Sequence, residues 1–367
     1  MSHKKTAHKS GWKAAQSNRK TRQRTNLAII VLVLITLLFL GAKVVSFINN
    51  LNQPITKTEF LPVRHYVWDQ TSRLNIVVKT NQISLLSYDP LEKTVTIINL
   101  PDTLYLPVTG GHGNWQLSSI FGLGQAEEKK LGAKLLKNSL SNYFGLPIDG
   151  FIEYQGSQNT YDLVQTLKDG VLTYVKLTPH IKTDLTSSEM LKFVWGLSKV
   201  RFDKIEQVDL SESGVLDRSQ LADGTQVYTS DPDRIDSITV TLLEGKIVSE
   251  KAAVSVINGT ETIGLAQKGS RIISNLGGNV IFSANATKIQ DKSAIYVSKV
   301  AKAEFTAKRL TQVFASDCSN NLKCDIIICE MSLKYTKGDK CFNEDLQILD
   351  SRADINIILG EDSSLRN

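Results

Sequence analysis

Residues 74–100, LNIVVKTNQISLLSYDPLEKTVTIINL, decide the fold class. Three short apolar runs are visible: Leu74–Val78, Ile83–Tyr88 and Thr94–Leu100. Polar residues separate them, Asp89-Pro90 forms a turn, and Pro101 stops the third. Each run is rich in β-branched and aliphatic residues at consecutive positions. That pattern predicts neighbouring strands buried on both faces, as in a sheet covered by helices on either side.

Reading forward, a glycine-rich loop, Gly110-Gly111-His112-Gly113, leads into Trp115–Leu123 and then a predicted helix over Gln125–Tyr143. Ala126, Leu131, Leu135, Leu136 and Leu140 give that helix an apolar stripe. Gly145-Leu146-Pro147 ends it, and Ile148–Tyr154 reads as a strand. Helical patterns follow at Tyr161–Lys168 and Ser187–Leu197. Strands alternating with helices predict an αβα sandwich. From Ser211 to Asp236 the chain turns polar, and the pattern then restarts. Ala253–Ile257, Asn279–Ala284, Ala294–Val297 and Asp354–Leu359 read as strands; Ile263–Leu276 and Ala301–Phe314 read as helices.

Reading backward, Leu27–Ala42, LAIIVLVLITLLFLGA, carries no charge, and only Lys43 interrupts before the run ends at Ile48. At about 1.5 Å per residue this stretch is long enough to cross the ~30 Å hydrocarbon core of a bilayer. Residues 1–25 hold eight Lys or Arg and no Asp or Glu. Such a cluster before a span is retained on the cytoplasmic side, so the N-terminus is expected inside and the body outside. A cleaved signal peptide would have a shorter apolar core and a small-residue cleavage site. Lys43-Val44-Val45 does not supply one, and an uncleaved anchor is expected.

The expected organisation is a basic cytoplasmic tail (1–25), a single membrane helix (26–48) and a stalk (49–70). A first α/β domain (71–215), a linker (216–250) and a smaller α/β domain (251–367) with an insertion at 316–350 follow. Removing the eight tail cations from the chain's 43 Lys and Arg leaves 35, against 37 Asp and Glu. A nearly neutral body does not present the basic face of a nucleic-acid protein, and no nucleic acid is expected as a partner. Cys318, Cys324, Cys329 and Cys341 are the only cysteines. Their spacing lacks the paired C-x2-C of a zinc site, and an even number outside the membrane favours two disulfides of undetermined pairing.

With these segments located, the chain resembles the LytR-CpsA-Psr family of bacterial cell-envelope proteins, with a LytR C-terminal domain. Residues 74–106 and 114–154, including Gly145-Leu146-Pro147-Ile148-Asp149, resemble the first domain. Val256-Ile257-Asn258-Gly259-Thr260, Gly264-Leu265-Ala266 and Leu359-Gly360-Glu361-Asp362 resemble the second. The resemblance implies transfer of an anionic glycopolymer from a polyprenyl-pyrophosphate carrier to the cell wall. It also implies arginines on the phosphates and an Asp-held Mg²⁺. Those residues are largely replaced. Lys79-Thr80-Asn81-Gln82 stands where the family has Arg-Ser-Asp-Thr, and Pro101-Asp102-Thr103 where it has Pro-Arg-Asp-Thr. Lys199 and Arg201 are the nearest cations to its later arginines.

The candidate site residues are therefore Lys79 for a phosphate, Asp102 for Mg²⁺ and Arg201 as a second cation. Lys79 and Asp102 each have a plainer reading, a solvated lysine and a turn-capping aspartate. Trp115 suits stacking on a sugar or lipid, yet the apolar Leu117, Ile120 and Phe121 nearby favour core packing. His112 reads as a loop residue rather than an acid–base group, and Gly110–Gly113 resembles a phosphate loop in composition alone. A phosphotransferase with a rearranged site, a glycan-binding relative without catalysis, and a protein docking a partner through its C-terminal domain all remain compatible with these residues. Possession of a fold does not choose among them.

The disulfide expectation has a direct check. Intact-mass measurement with and without reductant is expected to show two intramolecular bridges, and stoichiometric zinc in their place would overturn it.

Overall fold

A computed structural model describes residues 66–126, 131–156, 158–298, 303–314, 352–363 and 365, and the main chain of 327–331. All belong to one compact unit, Pro54–Asn367. The expected span at 26–48 lies outside the described residues, among which no helix is long and apolar enough to cross a membrane.

The first sheet begins with the three strands read from the sequence, β1 (Leu74–Lys79), β2 (Ile83–Asp89) and β3 (Thr94–Asn99). A hairpin follows, β4 (Tyr105–Val108) and β5 (Gly113–Gln116). Helices α1 (Leu117–Ala126) and α2 (Gly132–Phe144) lead to β6 (Gly150–Tyr154). Next come α3 (Thr160–Lys168), α4 (Val171–Leu177), β7 (Ile181–Thr183), α5 (Ser187–Leu197) and β8 (Ile205–Asp209). The sheet order is β7-β6-β1-β2-β3-β8, with β1 parallel to β6 and β3 parallel to β8.

Consecutive residues serve opposite faces. Val77, Leu85, Ile98 and Phe151 join one core with α1 and α2. Ile76, Leu86, Ile97 and Ile152 join another with α3, α4 and α5. This is the expected αβα sandwich, and its double burial explains why the strands read as unbroken apolar runs.

Several expectations change. The helix expected over Gln125–Tyr143 is in the structure two packed helices, α1 and α2. They touch at glycines: a Cβ on Gly124 would lie 2.8 Å from the Gly132 Cα. The C-terminal end of the expected stalk is packed, not free. Trp68 is fully buried, and its N–H donates to Glu189 Oε1 at 2.7 Å. Glu189 also completes a capping box with Thr186 at the start of α5.

The segment expected as a linker, 216–250, carries structure of its own. It holds a hairpin of β9 (Asp217–Gln220) and β10 (Gln226–Thr229), then α6 (Pro232–Thr239) and α7 (Gly245–Glu250). Ile235 and Leu242 are buried in one core and Ile247 in the other, and Val227 is buried as well.

The second sheet contains β11 (Ala253–Asn258), β12 (Asn279–Asn285), β13 (Ala294–Ser298), β14 (Ile327–Met331) and β15 (Ile355–Leu359), in the order β12-β11-β15-β13-β14. Helices α8 (Leu265–Asn275) and α9 (Glu304–Phe314) pack with it. Cys318, Cys324 and Cys341 lie outside the described residues, as does the side chain of Cys329.

Two polar clusters join the sheets. Arg271 on α8 donates to Asp236 and to the main-chain carbonyls of Asn142 and Tyr143 at 2.9 Å, while Asn275 donates to that of Phe144. The carbonyls of the last turn of α2 thus find donor partners on another helix. Deeper lies Arg309 on α9, 1% exposed. Its Nε donates to Glu244 Oε1 at 2.7 Å, and its Nη1 to Tyr66 Oη at 3.1 Å and Asp149 Oδ1 at 3.4 Å. Its Nη2 reaches the carbonyl of Arg73 at 3.3 Å. Tyr66 also donates to Asp149.

Truncating Arg309 would leave two buried carboxylates without their cation. Arg309→Ala is expected to destabilise the fold by about 3–5 kcal/mol, read as a lowered unfolding midpoint by circular dichroism.

Candidate functional site

The parallel strands fix which candidates can meet. Lys79 ends β1, opposite Ile83 on β2, and the Ile83 carbonyl accepts from Leu100 N–H at 3.1 Å. Pro101-Asp102 follows directly, so Lys79 and Asp102 lie at one edge of the sheet, beyond the C-terminal ends of β1 and β3. Arg201 precedes β8, whose first residue Ile205 pairs with Val95 at the start of β3. It therefore lies at the opposite edge, highly exposed and paired with Asp203 Oδ1 at 2.9 Å. The three candidates do not form one site.

Lys79 is not a solvated lysine. Its Nζ donates to Glu153 Oε1 at 2.8 Å and stands 4.9 Å from the Phe121 ring centroid. Glu153 is its register partner on the adjacent parallel strand β6. Asn81, the residue in the place of the family's Asp, takes a hydrogen bond from Thr80 Oγ1 at 3.0 Å within the tight turn between β1 and β2.

Asp102 is exposed in a turn closed by Leu104 N–H on the Pro101 carbonyl at 2.9 Å. Among the described residues no group of three His, Cys, Asp or Glu gathers as a metal cage. A lone exposed carboxylate fits Mg²⁺ only where substrate phosphates complete the octahedron. Asp209, at the end of β8 beside Asn99, adds a further carboxylate to this edge.

The glycine loop is a hairpin turn. Gly110, Gly111 and Gly113 have φ of 81°, 81° and 73°, left-handed values that join β4 to β5. His112 lies in that turn, and its carbonyl accepts from the Trp115 indole at 2.9 Å. Trp115 is 40% exposed, which corrects the expectation of core packing. It pairs with Leu106 across the hairpin, whose base adjoins Asp102 through Ser118 N–H on the Asp102 carbonyl at 3.2 Å. The β9–β10 hairpin closes the same edge, with Tyr228 N–H on the Thr103 carbonyl at 3.1 Å and Arg218 5.9 Å from the Tyr228 ring.

Glu153, Phe121 and Arg218 were not legible as site residues. Strand pairing places the first, and Arg218 lay in a segment expected to be a linker. Beneath the edge, Val77, Leu85, Ile98, Leu100, Ile120 and Phe151 have no accessible surface. A side chain with none has no water-sized void against it, so at these residues the sheet–helix layer is filled.

No family model matches this sequence, and no curated protein sequence matches it. Solved structures are similar over about half of the chain. The Bacillus subtilis TagV crystal structure is 10% identical, with a TM-score of 0.38 over 46% of this chain and 95% of that one. A LytR-CPS2A-psr family protein, YwtF (TagT), with bound octaprenyl pyrophosphate lipid is 11% identical, with a TM-score of 0.34 over 52% and 95%. The transcriptional regulator yvhJ of Bacillus subtilis gives 11% identity and 0.36 over 47% and 95%. Scores of this size fix neither a fold family nor a function for this chain.

The ion pair at Lys79 makes a measurable statement about anions. Inorganic pyrophosphate is expected to give no heat of binding with the native chain in titration calorimetry, and Glu153→Gln is expected to raise affinity about tenfold by removing the competing carboxylate. Tight binding by the native chain would show that Glu153 does not neutralise the site.

Proposed function

We propose that this chain is a membrane-tethered, extracytoplasmic envelope protein of the LytR-CpsA-Psr type, without phosphotransfer, that binds cell-wall glycan at the sheet edge bearing Trp115. The observation that carries this reading is the Lys79–Glu153 pair at 2.8 Å. A departing pyrophosphate needs cations that are not already committed, and the charge of Lys79 is met by a neighbouring strand. Asp102 and Asp209 add negative charge at the same edge, and Arg201 is absent from it. If each lost charged contact costs about 1.5–3 kcal/mol, three losses remove several orders of magnitude in rate.

An exposed indole held by its own hydrogen bond offers a flat, rigid face for a sugar ring. The resemblance of residues 74–106, 114–154 and 253–362 to the family supports the compartment and the class of ligand. The expected anchor at 26–48 supports the tether.

Two assays on the full-length chain in vesicles test this. With Mg²⁺ and a polyprenyl-pyrophosphate-linked glycopolymer, no transfer is expected; turnover abolished by Lys79→Ala would establish an enzyme instead. Sedimentation with purified peptidoglycan is expected to retain the chain, and Trp115→Ala to weaken retention about tenfold. Absence of binding would leave the C-terminal domain's docking of a partner as the better reading.

A further inference from the structure

The helical layer on the far face of the first sheet buries one side and leaves the other unlike an ordinary solvated surface. Leu163, Tyr174, Phe193 and Leu197 face the sheet. Outward, Leu172 is 81% exposed, Val175 58%, Trp195 54% and Phe202, just past α5, 73%. Scattered exposed apolar residues are ordinary. These four stand on adjoining elements, α4 and α5 packing together and α3 packing on both.

Cations are interleaved with them. Lys168 Nζ lies 3.8 Å from the Phe202 ring centroid, and Lys199 Nζ lies 3.1 Å from that of Trp195. Lys168 Nζ has no hydrogen-bond partner among the described residues, so the ring covers it in place of water. Lys176, Arg201 and Lys204 are exposed beside these residues. The exposed acids in these segments are Asp162, Asp169 and Asp203, the last already paired with Arg201, and Glu189 is buried. Glu206 belongs to the other side of the sheet, since its neighbour Ile205 packs into this layer.

The geometry points to this layer as a docking surface for an anionic lipid bilayer. Exposed aromatic and aliphatic side chains seat at the headgroup–acyl boundary, and lysine stems lie along them with the ammonium among lipid phosphates. A second copy of the same face would set the exposed Lys176, Lys199 and Lys204 against their own counterparts. The described chain also enters on this layer: the Trp68 carbonyl accepts from Lys192 Nζ at 3.2 Å, and Gln70 donates to the Lys192 carbonyl at 2.8 Å. The inference shares with the proposed function only the expected tether, and failure of glycan binding leaves it untouched.

Full-length chain reconstituted in phosphatidylcholine vesicles, with or without phosphatidylglycerol, tests it through quenching of tryptophan emission by doxyl-labelled lipid. Quenching is expected to rise with phosphatidylglycerol, and that rise to vanish in Trp195→Phe, which isolates Trp195 from the other three tryptophans. Leu172→Glu is expected to abolish the rise while the unfolding midpoint stays unchanged. Equal quenching in the native chain and Trp195→Phe would overturn the proposal. So would a Trp195 shielded from aqueous iodide yet unquenched by doxyl lipid, which would mean that protein covers the face. A chain recovered free of vesicles would refute the anchor instead. Added to preformed anionic vesicles, that chain reports Trp195 quenching in the same way, and its absence there would again overturn the docking surface.

Discussion

The buried guanidinium of Arg309 is the constraint on which the arrangement of the two sheets depends. Burial disfavours its charge, but Glu244 and Asp149 more than reverse that effect and hold its pKa well above the ordinary arginine value. Each partner comes from a different part of the chain: Glu244 before α7, Asp149 before β6, Tyr66 where the described chain begins. Asp149 Oδ2 also accepts from Asn75 N–H at 2.8 Å, which ties the cluster to the start of β1. Beside it Arg73 donates to Asp89 at 3.1 Å and to Ser87 at 3.2 Å. A buried ion cluster is weak testimony for net stability, because its desolvation is costly. Its force is directional, since a charge removed from water tolerates few arrangements of its partners. Sliding one sheet against the other would strand the guanidinium, the two carboxylates, or all three.

That cluster also marks the limit of what the residues reveal in isolation. The strands at 74–100 were legible because double burial writes an apolar residue at nearly every position, and α5 because its apolar period is clean from Ser187 to Leu197. The helix read over Ala301–Phe314 carries two adjacent cations, of which the structure buries Arg309 and leaves Lys308 to pair with Asp69 at 2.6 Å near the surface. A charged residue is excluded from a predicted apolar face by its type alone, and only its distant partners make its burial tolerable. The β9–β10 hairpin was missed for a related reason. Its residues are mostly polar, and its anchorage is Tyr228, which donates to the Thr103 carbonyl and packs against the first core.

The candidate site was half legible. Lys79 and Asp102 each follow an apolar run that ends where the charge begins, and the sheet brings both to one edge, on β1 and after β3 with β2 between. What decides their chemistry is Glu153, and no spacing along the chain links it to Lys79. Parallel pairing of β1 with β6 sets them side by side across 74 residues. A lysine beside a glutamate on a buried strand is a satisfied structural pair. The same lysine beside a second cation would have been an anion site. Fold and motif are common to both outcomes, and a single neighbour separates them.

The distribution of charge carries this further than the identity of any one residue. The body of the chain is close to neutral, so a surplus of cations on one surface is balanced by a surplus of acids elsewhere. At the C-terminal edge of the first sheet, Lys79 is offset by Glu153, with Asp102 and Asp209 beside it. Across the sheet, Lys168 and Lys199 stand over exposed rings at 3.8 and 3.1 Å. A protein that worked on a pyrophosphate would hold its cations at the edge and leave the outer helical layer bland. Here the helical layer holds them, among side chains that water alone would not select. The exposed ammonium groups of Lys176, Lys199 and Lys204 therefore lie on the outer side of α3–α5, where a headgroup can meet them.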